Sequence, residues 1–196
     1  MMDEVTNETK LLTQKSSSAD LSACLRAVCP TLNVVGCKAH FPVRLEHGPR
    51  GVTGMHVDTE ALFEAVEAGI AAGDQFVFAF VALKRAKAEA GHMNLLVFDL
   101  VDRVAHLFEP NMAVPNHVDN AAALVAKQLG FRWGGGRALG INPDGDCVPS
   151  CCLLALAIQH AGCVETAAEA YDDMPHTTMR RDCDAFYRMV EMLCKG

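Results

Sequence analysis

No Cys-x-x-Cys pair occurs anywhere in this 196-residue chain, although it holds nine cysteines. The count is odd, the spacing irregular, and no signal peptide opens the sequence, which argues against a disulfide scaffold. Reduced thiols in an intracellular, cytoplasmic setting are the expectation. Zinc-finger spacing is missing too: Cys29, Cys37, His40 and His47 lie close together, but only Cys37-x-x-His40 has the spacing of a half-site, so no metal is expected. Positive runs are also absent. With 24 acidic residues against 17 Lys+Arg and a formal net charge of −7, a nucleic-acid partner is not expected. No apolar run approaches the roughly 20 residues that span a bilayer, so no membrane partner is expected either. Gly134-Gly135-Gly136 is not followed by Gly-Lys-Ser/Thr and is no phosphate loop, and nothing else in the chain calls for a cofactor.

What the chain does have is apolar content, 51% against 21% charge, enough for one ordinary core. Residues 1–20 are polar and read as a flexible tail, leaving 21–196 as a single domain. Leu21–Val28 reads as a short helix capped by Asp20, and 31–56, rich in Gly and Pro, as loops and short strands. A helix is expected over 59–71, with Leu62, Phe63, Val66 and Ile70 as its core stripe and Gly73 as its stop. Residues 75–83 form a nearly continuous apolar run, predicting a central strand buried on both faces. A charged connector at 84–90 leads to strands over 92–98 and 103–109. Beyond them come a helix at 118–129, a glycine-interrupted strand or loop at 131–138 containing Trp133, and an amphipathic helix at 178–193.

Residues 147–160, Cys-Val-Pro-Ser-Cys-Cys-Leu-Leu-Ala-Leu-Ala-Ile-Gln-His, form an apolar helix without Asp, Glu, Lys or Arg, predicted to be buried all round and to end before Gly162. It starts on Cys147, and the unpaired N–H groups and dipole of a helix start favour a thiolate there. Asp146 is expected to cap the helix with its carboxylate, leaving the Cys147 N–H free to donate to an oxyanion. Cys151 and Cys152, one turn deeper, read as core.

If Asp99–Asp102 make a hairpin loop, Phe98 faces Arg103 and outward counting places His92 directly opposite Glu109. Opposed residues share a face with Cβ atoms about 4.5–5.5 Å apart, close enough for a carboxylate to fix the imidazole tautomer. A helix-start thiol, an imidazole and a carboxylate are the parts of a Cys-His-acid triad.

The order His92, Glu109, Cys147, with Gly-His-Met-Asn-Leu-Leu-Val-Phe-Asp at the histidine, Leu-Phe-Glu-Pro-Asn at the acid and Asp146-Cys147 at the nucleophile, resembles a known family. It looks like the papain-like cysteine peptidases of the adenovirus protease and ubiquitin-like-protein protease group, and closer still to versions encoded by large DNA viruses. The resemblance covers about 75–162. It implies an α+β papain-like fold, an antiparallel sheet packed on a central buried helix, and a thiol peptidase with Cys147 as nucleophile, His92 as base and acid, and Glu109 orienting it. The group carries a glutamine oxyanion donor shortly before the nucleophile; here Asn142 is the nearest counterpart, beside the Cys147 N–H. Trp133, Gly134 and Gly135 are candidates for a substrate groove. The implied partner is a protein: ubiquitin, a ubiquitin-like modifier or a viral precursor, met in the host cell if the chain is viral. The alternatives are a YopJ-like acetyltransferase, which uses His, Glu and Cys in the same order but needs a basic site not evident here, and an inactive binding protein on a peptidase scaffold.

Overall fold

The computed structural model describes residues 18–36, 41–48, 51–85, 91–110, 114–139 and 146–195. Most of the expected tail, the Cys37/His40 half-site, much of the charged connector and Asn142 lie outside these residues. In chain order the elements are α1 (Ser18–Val28), β1 (Val43–Gly48), β2 (Gly51–Val57), α2 (Thr59–Ala72), β3 (Phe76–Arg85), β4 (Gly91–Asp99), β5 (Val104–Glu109), α3 (Asn116–Gln128), β6 (Arg132–Ala138), α4 (Cys147–Ala161), α5 (Val164–Asp172) and α6 (His176–Lys195).

The six strands form one sheet in the order β2-β1-β3-β4-β5-β6. It is mixed rather than antiparallel as expected, because β1 lies parallel to β3 and β5 parallel to β6. Each parallel pair is joined by a crossover that includes a helix, α2 in one case and α3 in the other, as such pairs require. From Phe76 to Val81 no side chain of β3 is more than 1% exposed, so the apolar run is buried on both faces. One face carries α1, α4, α5 and α6 over Phe76, Phe78, Phe80, Met93, Leu95 and Val97. The other carries α2 and α3 over Val77, Ala79, Val81, Leu96, Phe98 and Leu107. Both edge strands, β2 and β6, touch α3, so the sheet curls around that helix.

Local chemistry accounts for most boundaries. Asp58 caps α2 by accepting from the Ala61 N–H at 3.1 Å, and Gly73 closes it in the left-handed conformation. The stripe that α2 buries is Leu62, Val66 and Gly69; Phe63 and Ile70, expected in the core, are about half exposed because they flank it. Gly69 fits there because a Cβ would come within 2.9 Å of Leu100 and Asn33. α1 begins at Ser18, so Asp20 lies in its first turn rather than before it. α4 is buried along 147–152 and at Leu154, Ala155 and Ile158, but Leu153, Leu156 and Ala157 are only partly covered, so it is not enclosed all round. α5, with Val164, Ala167, Ala168 and Tyr171 turned inward, adds an element beyond those expected from the sequence. In α6 the buried stripe is Met179, Cys183, Phe186, Tyr187 and Val190, while Leu193 is exposed.

The hairpin differs from expectation by two residues. Asp99 belongs to β4 and pairs with Val104, so Phe98 faces Ala105, not Arg103. The turn is 100–103. Asp99 Oδ1 accepts from the Val101 and Asp102 N–H groups at 2.9 Å each, and Arg103 adopts φ +54°. An aspartate reads as a loop residue by type, yet here it ends the strand and caps the turn from that position. The shift is even, so every side chain keeps its face.

Candidate active site

β4 and β5 carry one half of the site. Extending the ladder from Leu95↔Phe108 sets Asn94, not His92, opposite Glu109. His92 is the diagonal neighbour, two residues further out on the same face. Its ring nonetheless reaches the acid: Nε2 lies 2.6 Å from Glu109 Oε1, and Glu109 is only 4% exposed. Asn94 is fully buried and turns its amide nitrogen 2.9 Å from Glu109 Oε2 and 3.1 Å from the Met93 carbonyl; the opposite orientation would set its oxygen against acceptors. The carboxylate is therefore held at both oxygens.

α4 carries the other half. Cys147 is its first residue, and its thiol lies close enough to the His92 ring to act on it electrostatically. Because Nε2 is engaged by Glu109, Nδ1 is the ring nitrogen left for sulfur. Burial alone would lower the His92 pKa; hydrogen bonds with Cys147 and Glu109, and the negative charge on both, outweigh it and raise the ring to about 9. At neutral pH the His92 ring is thus protonated. The helix is pinned to β4 by Cys151 Sγ donating to the Met93 carbonyl at 3.4 Å, and its far end is held to the start of β3 by Gln75 Nε2 donating to the Gly162 carbonyl at 2.8 Å.

Asp146 does not cap the helix with its carboxylate. Its backbone carbonyl accepts from the Ser150 N–H and Oγ at 3.2 and 2.9 Å, while Oδ1 accepts from the buried Tyr187 hydroxyl of α6 at 2.9 Å. Burial, then the Asp146 charge, push the Tyr187 phenol well up, so it stays a donor. Burial also pushes up Cys151 and Cys152, and takes Cys183 to about 12, which leaves those three thiols inert. Nothing in the sequence near residue 146 points to Tyr187.

Of the candidate groove residues, none is brought to Cys147. Trp133 pairs with Ala105, four residues down β5 from Glu109, and its indole N–H points to Asp119 at 3.4 Å. Gly134 and Gly135 sit at a bulge in β6 and, with His106, Phe108, Arg137 and Glu165 among others, line a separate cavity of about 190 Å³. Their glycines have steric causes. A Cβ on Gly134 would come within 2.5 Å of the His106 ring, Gly135 has φ +107°, and a Cβ on Gly136 would meet Asp119 at 2.6 Å. Asn142, the expected second oxyanion donor, lies outside the described residues. Among the described residues no group of three His, Cys, Asp or Glu could hold a metal ion, and no helix is long and apolar enough to cross a membrane.

The fold, with helices on both faces of a mixed sheet, is similar to that of solved structures. ChlaDub1 from Chlamydia trachomatis has the same fold: TM-score 0.53 and 12% identity over 88% of this chain and 91% of that one. AvrA delL154 with IP6 and CoA gives TM-score 0.47 and 14% identity, covering 79% of this chain but only 57% of that one. The C-terminal Ulp1 protease domain in complex with Smt3, the yeast ortholog of SUMO, gives TM-score 0.45 and 12% identity over 97% and 95% of the two chains. No protein-family model matches the sequence, and no curated protein does.

Proposed function

We propose that this protein is a cysteine peptidase that cleaves a peptide or isopeptide bond in a protein substrate, with Cys147 as nucleophile. The observation that carries the reading is that His92, 2.6 Å from Glu109 Oε1, also interacts with the Cys147 thiol at the start of α4. With the proton from the thiol held on His92 Nδ1 as the imidazolium, the sulfur attacks the carbonyl carbon. The resulting oxyanion accepts from the Cys147 N–H, which has no partner within a helix it begins, and from Asn142 as second donor. The imidazolium then gives its proton to the leaving nitrogen, the C–N bond breaks, and a thioester remains. Water, deprotonated by the now neutral His92, hydrolyses the thioester and restores the thiol. Glu109 keeps Nε2–H directed at itself and Nδ1 at sulfur throughout. The substrate class is ubiquitin, a ubiquitin-like modifier or a precursor protein with a comparable extended tail.

The test is covalent capture by ubiquitin and ubiquitin-like proteins bearing a C-terminal electrophile, read by intact mass. An adduct on Cys147 that disappears in Cys147→Ala and His92→Ala is expected. If no probe labels the protein, and iodoacetamide at pH 6 modifies Cys147 no faster than Cys24 or Cys163, the reading is overturned in favour of a binding scaffold.

A further inference from the structure

Asn94 stands out within β4. Its neighbours Met93, Leu95, Leu96, Val97 and Phe98 are apolar and buried, its cross-strand partner on β3 is Val81, and it is itself 0% exposed. A buried amide without partners costs about 1–3 kcal/mol, so packing alone would favour Leu or Val at this place. The amide must therefore be explained by its bonds. It has two N–H groups and two acceptors within reach, Glu109 Oε2 and the Met93 carbonyl. His92 Nε2, 3.2 Å away, spends its own hydrogen on Glu109 Oε1.

The register supplies the reason for this pairing. Continuing the β4/β5 register one step past Leu95↔Phe108 sets Asn94 opposite Glu109, whereas His92 is reached only along the diagonal. A glutamate side chain has three rotatable bonds, and the diagonal contact requires one particular setting of them. A donor fixed on the opposing strand selects that setting by holding the far oxygen.

We propose that Asn94 is a positioning residue that anchors Glu109 Oε2, so that Oε1 is delivered to His92 and the ring is held with Nδ1 toward sulfur. This inference rests on the peptidase reading for its purpose but not for its test. The groups that face His92 are Glu109 from β5, Cys147 from α4 and, behind them, Cys151, which senses the charge of both. Asn94 carries no charge of its own. Its influence on the ring runs through Glu109.

That route separates positioning from mere support of the fold. The measurement is the pH titration of the His92 ring by NMR in the substrate-free protein, alone and in a double-mutant cycle with Glu109→Gln. Asn94→Leu should lower the His92 midpoint by about one unit or more and slow Cys147 alkylation at pH 6 about tenfold. In the Glu109→Gln background the same substitution should change neither further, since the acid it acts through is gone. An unchanged His92 midpoint in folded Asn94→Leu, or an equal drop in both backgrounds, overturns the proposal. Should Asn94→Leu lose its cooperative melting transition, Asn94→Ala, which removes the amide without adding bulk, carries the same cycle with the same two outcomes. Because no substrate is involved, a failed search for peptidase activity leaves this result standing, and the reverse holds equally.

Discussion

The two halves of the site are built on different principles. The strand half, His92, Asn94 and Glu109, is held by contacts across one hairpin, between residues no more than 17 apart in sequence. The helix half, Asp146 and Cys147, is braced from 41 residues away by Tyr187. A hairpin fixes geometry by register, which is local and discrete. A helix start braced by a distant helix is fixed by packing, which is long-range and graded. The strand half should therefore fail in an all-or-none manner and the helix half by degrees.

The largest effect belongs to the atoms where the halves meet. Cys147→Ala should abolish adduct formation, and His92→Ala should slow iodoacetamide alkylation of Cys147 at pH 6 by about 10²-fold or more. Next comes the strand half alone. Glu109→Gln keeps the shape but removes the charge that helps raise His92, and should lower turnover about 10²-fold while KM moves little, as seen in steady-state kinetics on whichever probe reacts. A comparable change in KM would mean that Glu109 binds substrate instead.

The helix half should respond more mildly. Tyr187→Phe leaves the buried Asp146 carboxylate without that hydroxyl donor, destabilising the fold by about 1–3 kcal/mol in urea denaturation, with turnover falling less than tenfold. The His92 midpoint should stay where it is, since Tyr187 touches only the helix half; a shift there would show that the halves are not independent. A further effect is one of pH. His92 titrates near 9 when folded against an ordinary 6.5, so its contribution to stability is complete below pH 6.5 and is lost as pH rises through about 9. The stability difference between wild type and His92→Gln, at most about 3 kcal/mol, should thus shrink between pH 6 and pH 9.5.

The same contrast explains what could be read in the sequence. Cys147 was legible because a glycine-bearing loop, a helix without Asp, Glu, Lys or Arg and a cysteine at its first position occur within a few residues. His92 and Glu109 were legible because alternation puts both on one face, and a miscount of two at Asp99 preserves that face. Asn94 was hidden by the same miscount: with the register two residues off, the position opposite Glu109 was given to His92. Tyr187 and the true partner of Asp146 were hidden for another reason, since pattern along one helix says nothing about what a second helix brings. The mixed sheet was missed because β1 and β2 lie in a Gly- and Pro-rich stretch whose strand pairing depends on β3, a long-range neighbour.

The glycines of β6 bear on how variant data for this protein would look. His106 below Gly134, the backbone angle of Gly135 and Asp119 beside Gly136 each exclude a side chain, one after another. In a saturation library scored only for survival, this edge strand would stand out as sharply as Cys147, with no tolerated alternatives at three adjacent codons. A map of intolerance would then mark two hot regions, one chemical and one purely steric, and only a readout that separates abundance from turnover would tell them apart.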